Sequence, residues 1–176
     1  MAQIFVLLAI MVATCVSAFA QNTKVDYSGK WELDLAASKL DTRQNIEAMT
    51  MTVTQTEKEL KIETVTKRPA PPEGVVQAGR GGRGPARSGD GTTTYSLDGK
   101  ETLVDQESPM GPLPVKFLAK QEGPVLKLSQ SRTINTTTMA TKEDWTLSPD
   151  GKILTVKREM TTPRGTFPST MVFKKG

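Results

Sequence analysis

Asp144-Trp145-Thr146-Leu147-Ser148-Pro149-Asp150-Gly151-Lys152-Ile153-Leu154-Thr155-Val156 is the stretch on which the fold turns. Pro149-Asp150-Gly151 is a strong turn signal, and apolar and polar residues alternate on either side of it. Alternation with a period of two is the mark of a half-buried strand, so the stretch reads as a β-hairpin. If the turn pairs Leu147 with Lys152, facing positions sum to 299. Trp145 then meets Leu154, Met139 meets Met160, and Thr141 meets Arg158.

The same signature recurs outward in both directions. Glu122-Gly123-Pro124 separates two alternating runs, and so does Asp98-Gly99. Further upstream, Met49-Thr50-Met51-Thr52-Val53-Thr54 puts Met49, Met51 and Val53 on one face, and Leu60-Lys61-Ile62-Glu63 follows after a polar break. Sequential hairpins at this spacing predict an all-β antiparallel meander. Ten strands are expected, at 30–35, 49–56, 59–67, 92–97, 100–104, 114–121, 124–133, 138–147, 152–161 and 166–174. One short helix is expected around 41–48, where Asp41 can cap a turn. Closure removes exposed edges, so this many strands predict a barrel or a strongly curled sheet. Apolar positions 31, 33, 35, 49, 51, 53, 60, 62, 95, 97, 117, 126, 128, 139, 145, 147, 154, 156, 160, 171 and 173 would line its inner face.

The first 20 residues hold 17 apolar ones, and Ala18-Phe19-Ala20 supplies a small-x-small cleavage pattern. Residues 1–20 therefore read as a secretory signal peptide, too short in its apolar run to span a bilayer, with the mature chain beginning at Gln21. A lipid anchor on Cys15 is the rival reading. Residues 21–176 form a single domain, expected to be secreted or periplasmic, monomeric and without stable membrane insertion after cleavage. Cys15 is the only cysteine and there is no histidine. The mature chain thus has no disulfide, no zinc site built on imidazole or thiolate, no histidine-based triad and no cysteine nucleophile. No cofactor is expected. No Gly-x-Ser-x-Gly elbow, Ser-x-x-Lys motif or P-loop ending is present, so the chain is not read as an enzyme.

The formal charge is +4, from 23 Lys+Arg and 19 Asp+Glu. Arg80, Arg83 and Arg87 fall together in the segment 69–91, where 11 of 23 residues are Gly or Pro. Two readings apply to that segment, an RGG-like tract for nucleic acid or a loop joining two strands. It contains a single copy without aromatics on an exported chain, so no nucleic-acid partner is expected.

Several polar residues are turned inward by the alternation. Arg158 shares a face with Leu154, Val156 and Met160, and Glu143 lies diagonal to it; Gln130 and Arg132 share a face with Leu126 and Leu128. One reading makes Arg158, Glu143, Thr141, Gln130 and Arg132 the polar end of a ligand site. Met49, Met51, Met139 and Met171 would then supply an adaptable apolar wall for a small apolar or amphiphilic molecule. The other makes Glu143 and Arg158 a structural ion pair in a filled barrel.

Ser28-Gly29-Lys30-Trp31 resembles the Gly-x-Trp opening of lipocalins. Together with Trp145-Thr146-Leu147-Ser148-Pro149-Asp150-Gly151-Lys152, Ser38-Lys39 and Tyr95-Ser96-Leu97-Asp98-Gly99-Lys100-Glu101, it is similar to a group of uncharacterised secreted bacterial lipocalin-like proteins. The resemblance covers most of the mature chain outside 69–91. It implies a lipocalin-like barrel, a Trp31 that closes one end, and an exported location. The function expected is non-catalytic binding of a small apolar or amphiphilic molecule. The alternative is an envelope interaction module that contacts a protein or polymer through its outer surface or the 69–91 loop.

Overall fold

A computed structural model describes residues 25–41, 44–69, 91–108 and 111–176. The expected signal peptide, Cys15 and the expected loop at 70–90 with its arginines lie outside the described residues.

Ten strands are present: β1 (Gly29–Leu33), β2 (Ala48–Gln55), β3 (Glu59–Lys67), β4 (Gly91–Ser96), β5 (Thr102–Ser108), β6 (Gly111–Glu122), β7 (Val125–Ile134), β8 (Thr137–Leu147), β9 (Ile153–Thr162) and β10 (Gly165–Lys175). They form one antiparallel sheet in the order β4-β3-β2-β1-β10-β9-β8-β7-β6-β5. Strands consecutive in the chain pair with each other, apart from β4 and β5, and β1 also pairs with β10 and so joins the two halves of the meander. The two edges, β4 and β5, are consecutive in sequence, which requires the sheet to curl round. The Tyr95 ring on β4 meets Phe117 on β6 edge-on at 5.4 Å between centroids. The result is a nearly closed barrel with one open seam, between β4 and β5.

The lower end carries the β2–β3, β4–β5, β6–β7 and β8–β9 turns, and here the barrel is plugged. Trp31 and Tyr27 are fully buried and Trp145 is nearly so. The Tyr27 hydroxyl donates to the carbonyls of Pro124 (3.2 Å) and Trp145 (3.3 Å), and the Trp31 indole N–H donates to the Tyr27 carbonyl at 3.0 Å. Gln55 fastens this N-terminal segment, its amide donating to the Val25 carbonyl and its carbonyl accepting from the Tyr27 N–H. Each buried indole removes roughly 200 Å² from water, worth about 5 kcal/mol before the entropy of ordering it.

Four expectations are corrected. Leu35 is 42% exposed and does not line the inner face. β1 ends at Leu33 because the Asp34 carboxylate accepts the N–H groups of Ala36 and Ala37 and turns the chain outward. The expected helix at 41–48 is not formed at its described residues. Gln44 N–H donates to the Asp41 carbonyl, and Asn45 adopts φ +40°, which no helix accepts, before β2 begins at Ala48. β5 runs to Ser108, four residues beyond the expected end, since it pairs with β6 along its whole length.

The β8–β9 register is the fourth. Facing positions sum to 301, so Trp145 meets Val156, Thr141 meets Met160, and Glu143 stands opposite Arg158. The Ser148 N–H donates to the Ile153 carbonyl, and the Ile153 N–H returns to the Ser148 hydroxyl, which puts Lys152 inside the turn. A shift of one residue on each strand keeps every side chain on the face expected for it.

Candidate functional site

The inner face of β7, β8, β9 and β10 is built in rows. Leu126, Trp145, Val156 and Met171 are aligned in one row, then Leu128, Glu143, Arg158 and Ser169, then Gln130, Thr141, Met160 and Phe167. Arg132 and Met139 are paired beyond them, toward the upper end.

Glu143 and Arg158 form a closed polar unit in the second of these rows. Arg158 Nε and Nη2 both reach Glu143 Oε1, at 2.7 and 2.6 Å. The other carboxylate oxygen accepts from the Trp145 indole N–H at 2.7 Å. The side chains are 12% and 27% exposed, so the pair is largely removed from water. Its charges cancel and both carboxylate oxygens are engaged, leaving little attraction for a further anion. Tyr95 faces this unit from β4; burial first, and then the Glu143 charge, push its hydroxyl well above the ordinary tyrosine range.

The nine expected site residues separate into two groups. Gln130, Arg132, Met139, Thr141, Glu143 and Arg158 come together across β7 to β9, each partly exposed. Met49, Met51 and Met171 are at most 5% exposed and belong to the packed core, with Met51 between Trp31 and Thr64, and Met171 opposite Val156. Two residues that sequence reasoning missed belong to the site. Ser169 stands opposite Arg158, is 7% exposed, and its hydroxyl has no hydrogen-bond partner among the described residues. The alternation that puts Met171 and Phe173 inward also reaches Ser169, so the signal was there. The other is Trp145, whose N–H holds Glu143 as its ring fills the core.

Burial along the inner face is graded. Below the Glu143–Arg158 row the inward side chains of β7 to β10 are almost all buried, whereas above it Gln130, Arg132, Met139, Thr141, Met160 and Phe167 are all partly exposed. Solvent thus reaches the inner face from the upper end, where β3 ends and β4 begins. On the outside of the barrel, a groove of about 490 Å³ crosses β6 to β9, lined by Lys120, Lys127, Lys142, Lys157, Glu122, Asp144 and Glu159 among others.

No family model matches the sequence, and no curated protein matches it. Among solved structures, zebrafish ileal bile acid-binding protein complexed with cholic acid is similar at 14% identity, with 85% of this chain and 98% of that chain covered and a TM-score of 0.48. Human cRBP IV is similar at 13% identity over 87% of this chain and 100% of that one, with a TM-score of 0.49. The fatty-acid-binding protein of Manduca sexta gives 13% identity, 85% and 99% coverage, and a TM-score of 0.44.

Proposed function

We propose that the chain is an exported, monomeric, non-catalytic binding protein of lipocalin-like shape that takes a small apolar or amphiphilic molecule through the upper end of its barrel. The gradient of burial carries this reading. The lower end is sealed by Tyr27, Trp31 and Trp145, while the upper inner face mixes the apolar Met139, Met160 and Phe167 with the polar Gln130, Thr141 and Arg132. An apolar wall with a few convergent polar groups is what an amphiphile requires. The Ser169 hydroxyl adds a hydrogen-bonding group on the inner face that the described residues leave unused.

Native mass spectrometry of the protein purified from its own host tests the reading. A bound small molecule released on denaturation is the expected result, on a chain whose mass begins at Gln21. Protein that is free of ligand and also fails to bind long-chain alcohols or acids in solution would overturn it. The alternative, an envelope interaction module, draws support from the charged groove across the outer face of β6 to β9. Charge reversal at Lys142 and Lys157 would abolish capture of an envelope partner in that case and leave small-molecule binding intact.

A further inference from the structure

Charge on the inner face is sparse. Among the described residues, the inward positions of the ten strands carry Arg132, Glu143 and Arg158, together with Lys175, which lies over the Trp31 ring at the plugged end. Glu143 and Arg158 neutralise each other. Arg132 is different: it is partly buried on the inner face between Val115, which is fully buried, and Met139, and among the described residues it has no ion-pair partner. Among the described residues, the upper inner face therefore holds one positive charge without a counter-ion. A partly hydrated guanidinium among apolar neighbours, with no carboxylate beside it, is open to pairing with an anionic head group that enters from the upper end.

We infer that Arg132 is the head-group anchor of the site, and that the ligand is a monoanionic amphiphile, an alkyl chain ending in a single carboxylate. This deepens the binding reading above and rests on it. Arg158, the arginine nearer the plugged end, is excluded from that role by its own glutamate. The planar guanidinium of Arg132 can donate two parallel N–H groups to a carboxylate. Gln130, two residues along β7, and Thr141, its partner on β8, continue the polar strip. A single net charge matches a carboxylate better than a doubly charged phosphate ester.

Dodecanoate and 1-dodecanol share a tail length and differ in head, so their affinities for the full chain isolate the head-group contribution. The wild type is expected to prefer dodecanoate by about tenfold or more, the usual worth of a charge-assisted hydrogen bond. Arg132→Gln should abolish that preference, read as the ratio of the two affinities in the same variant, and Arg132→Lys should restore part of it. The paired variant Glu143→Gln with Arg158→Met should retain the preference. Unchanged preference in Arg132→Gln, or equal affinities in the wild type, overturns the anchor and leaves the binding reading standing. If neither compound binds, both fall.

Discussion

At the scale of single residues, Glu143 accepts hydrogen bonds from Arg158 Nε and from the Trp145 indole, with Arg158 Nη2 in ion-pair contact with the same oxygen as Nε. Arg158→Met removes both Arg158 contacts and leaves a carboxylate that is only 12% exposed without its counter-ion. Breaking a fully buried pair costs about 3–5 kcal/mol, and because Arg158 is partly hydrated the expected loss is about 2 kcal/mol. Adding Glu143→Gln removes the stranded charge and should recover roughly half of this, measured by urea denaturation of the four proteins of the cycle. Tyr95 supplies a pH-dependent counterpart. Its folded-state pKa is raised, by burial first and then by Glu143, so the folded protein keeps that proton longer than the unfolded chain. Its contribution is fully present below the unfolded tyrosine pKa of about 10 and is lost as pH rises above that value. Tyr95→Phe keeps the ring against Phe117 and should flatten the alkaline decline in melting midpoint. A decline of the same steepness in the variant would assign it to other groups.

At the scale of elements, the β8–β9 hairpin depends on a turn that only certain residues can make. Gly151 adopts φ +67° with no atom within 4 Å of where a Cβ would stand. Gly151→Ala therefore meets no clash, and its cost is the left-handed backbone alone, about 1 kcal/mol in chemical denaturation. The neighbouring Asp150 carboxylate accepts from the Ser148 hydroxyl and the Lys152 N–H, which hold it below the usual aspartate range. That local network decides how far the turn extends, and hence that Glu143 stands opposite Arg158 instead of diagonal to it.

At the scale of the whole molecule, the chain order of the strands leaves one seam, between β4 and β5. Leu103 on β5 is 62% exposed, and Val104, which points toward the inside, is 42% exposed because no strand flanks it on the β4 side. Asp105 and Glu107 on the same strand put charge on the free edge, which discourages pairing with another chain. Amides of β4 and β5 on the seam side are expected to exchange with deuterium well before those of β8, β9 and β10, each of which is paired on both sides. Equal protection across the ten strands would mean that the seam closes in solution.

All ten strands were legible in the chain because alternation and turn residues are local properties, set within a few positions of each other. Most of the inner face followed, since a period of two assigns every residue to a side once one is assigned; Leu35 escaped because the Asp34 carboxylate turned the chain outward. Gln130, Arg132, Thr141, Glu143 and Arg158 could be placed on that face by the same argument. What the sequence could not contain was distance. The pairing of β1 with β10, the depth to which Met49, Met51 and Met171 are packed, and the orphan Ser169 hydroxyl depend on strands far apart in the chain. The choice between Arg158 and Arg132 as the uncompensated charge was also tertiary. A guanidinium is neutralised only by a carboxylate within hydrogen-bonding reach, and the closed hairpin gave that carboxylate to Arg158.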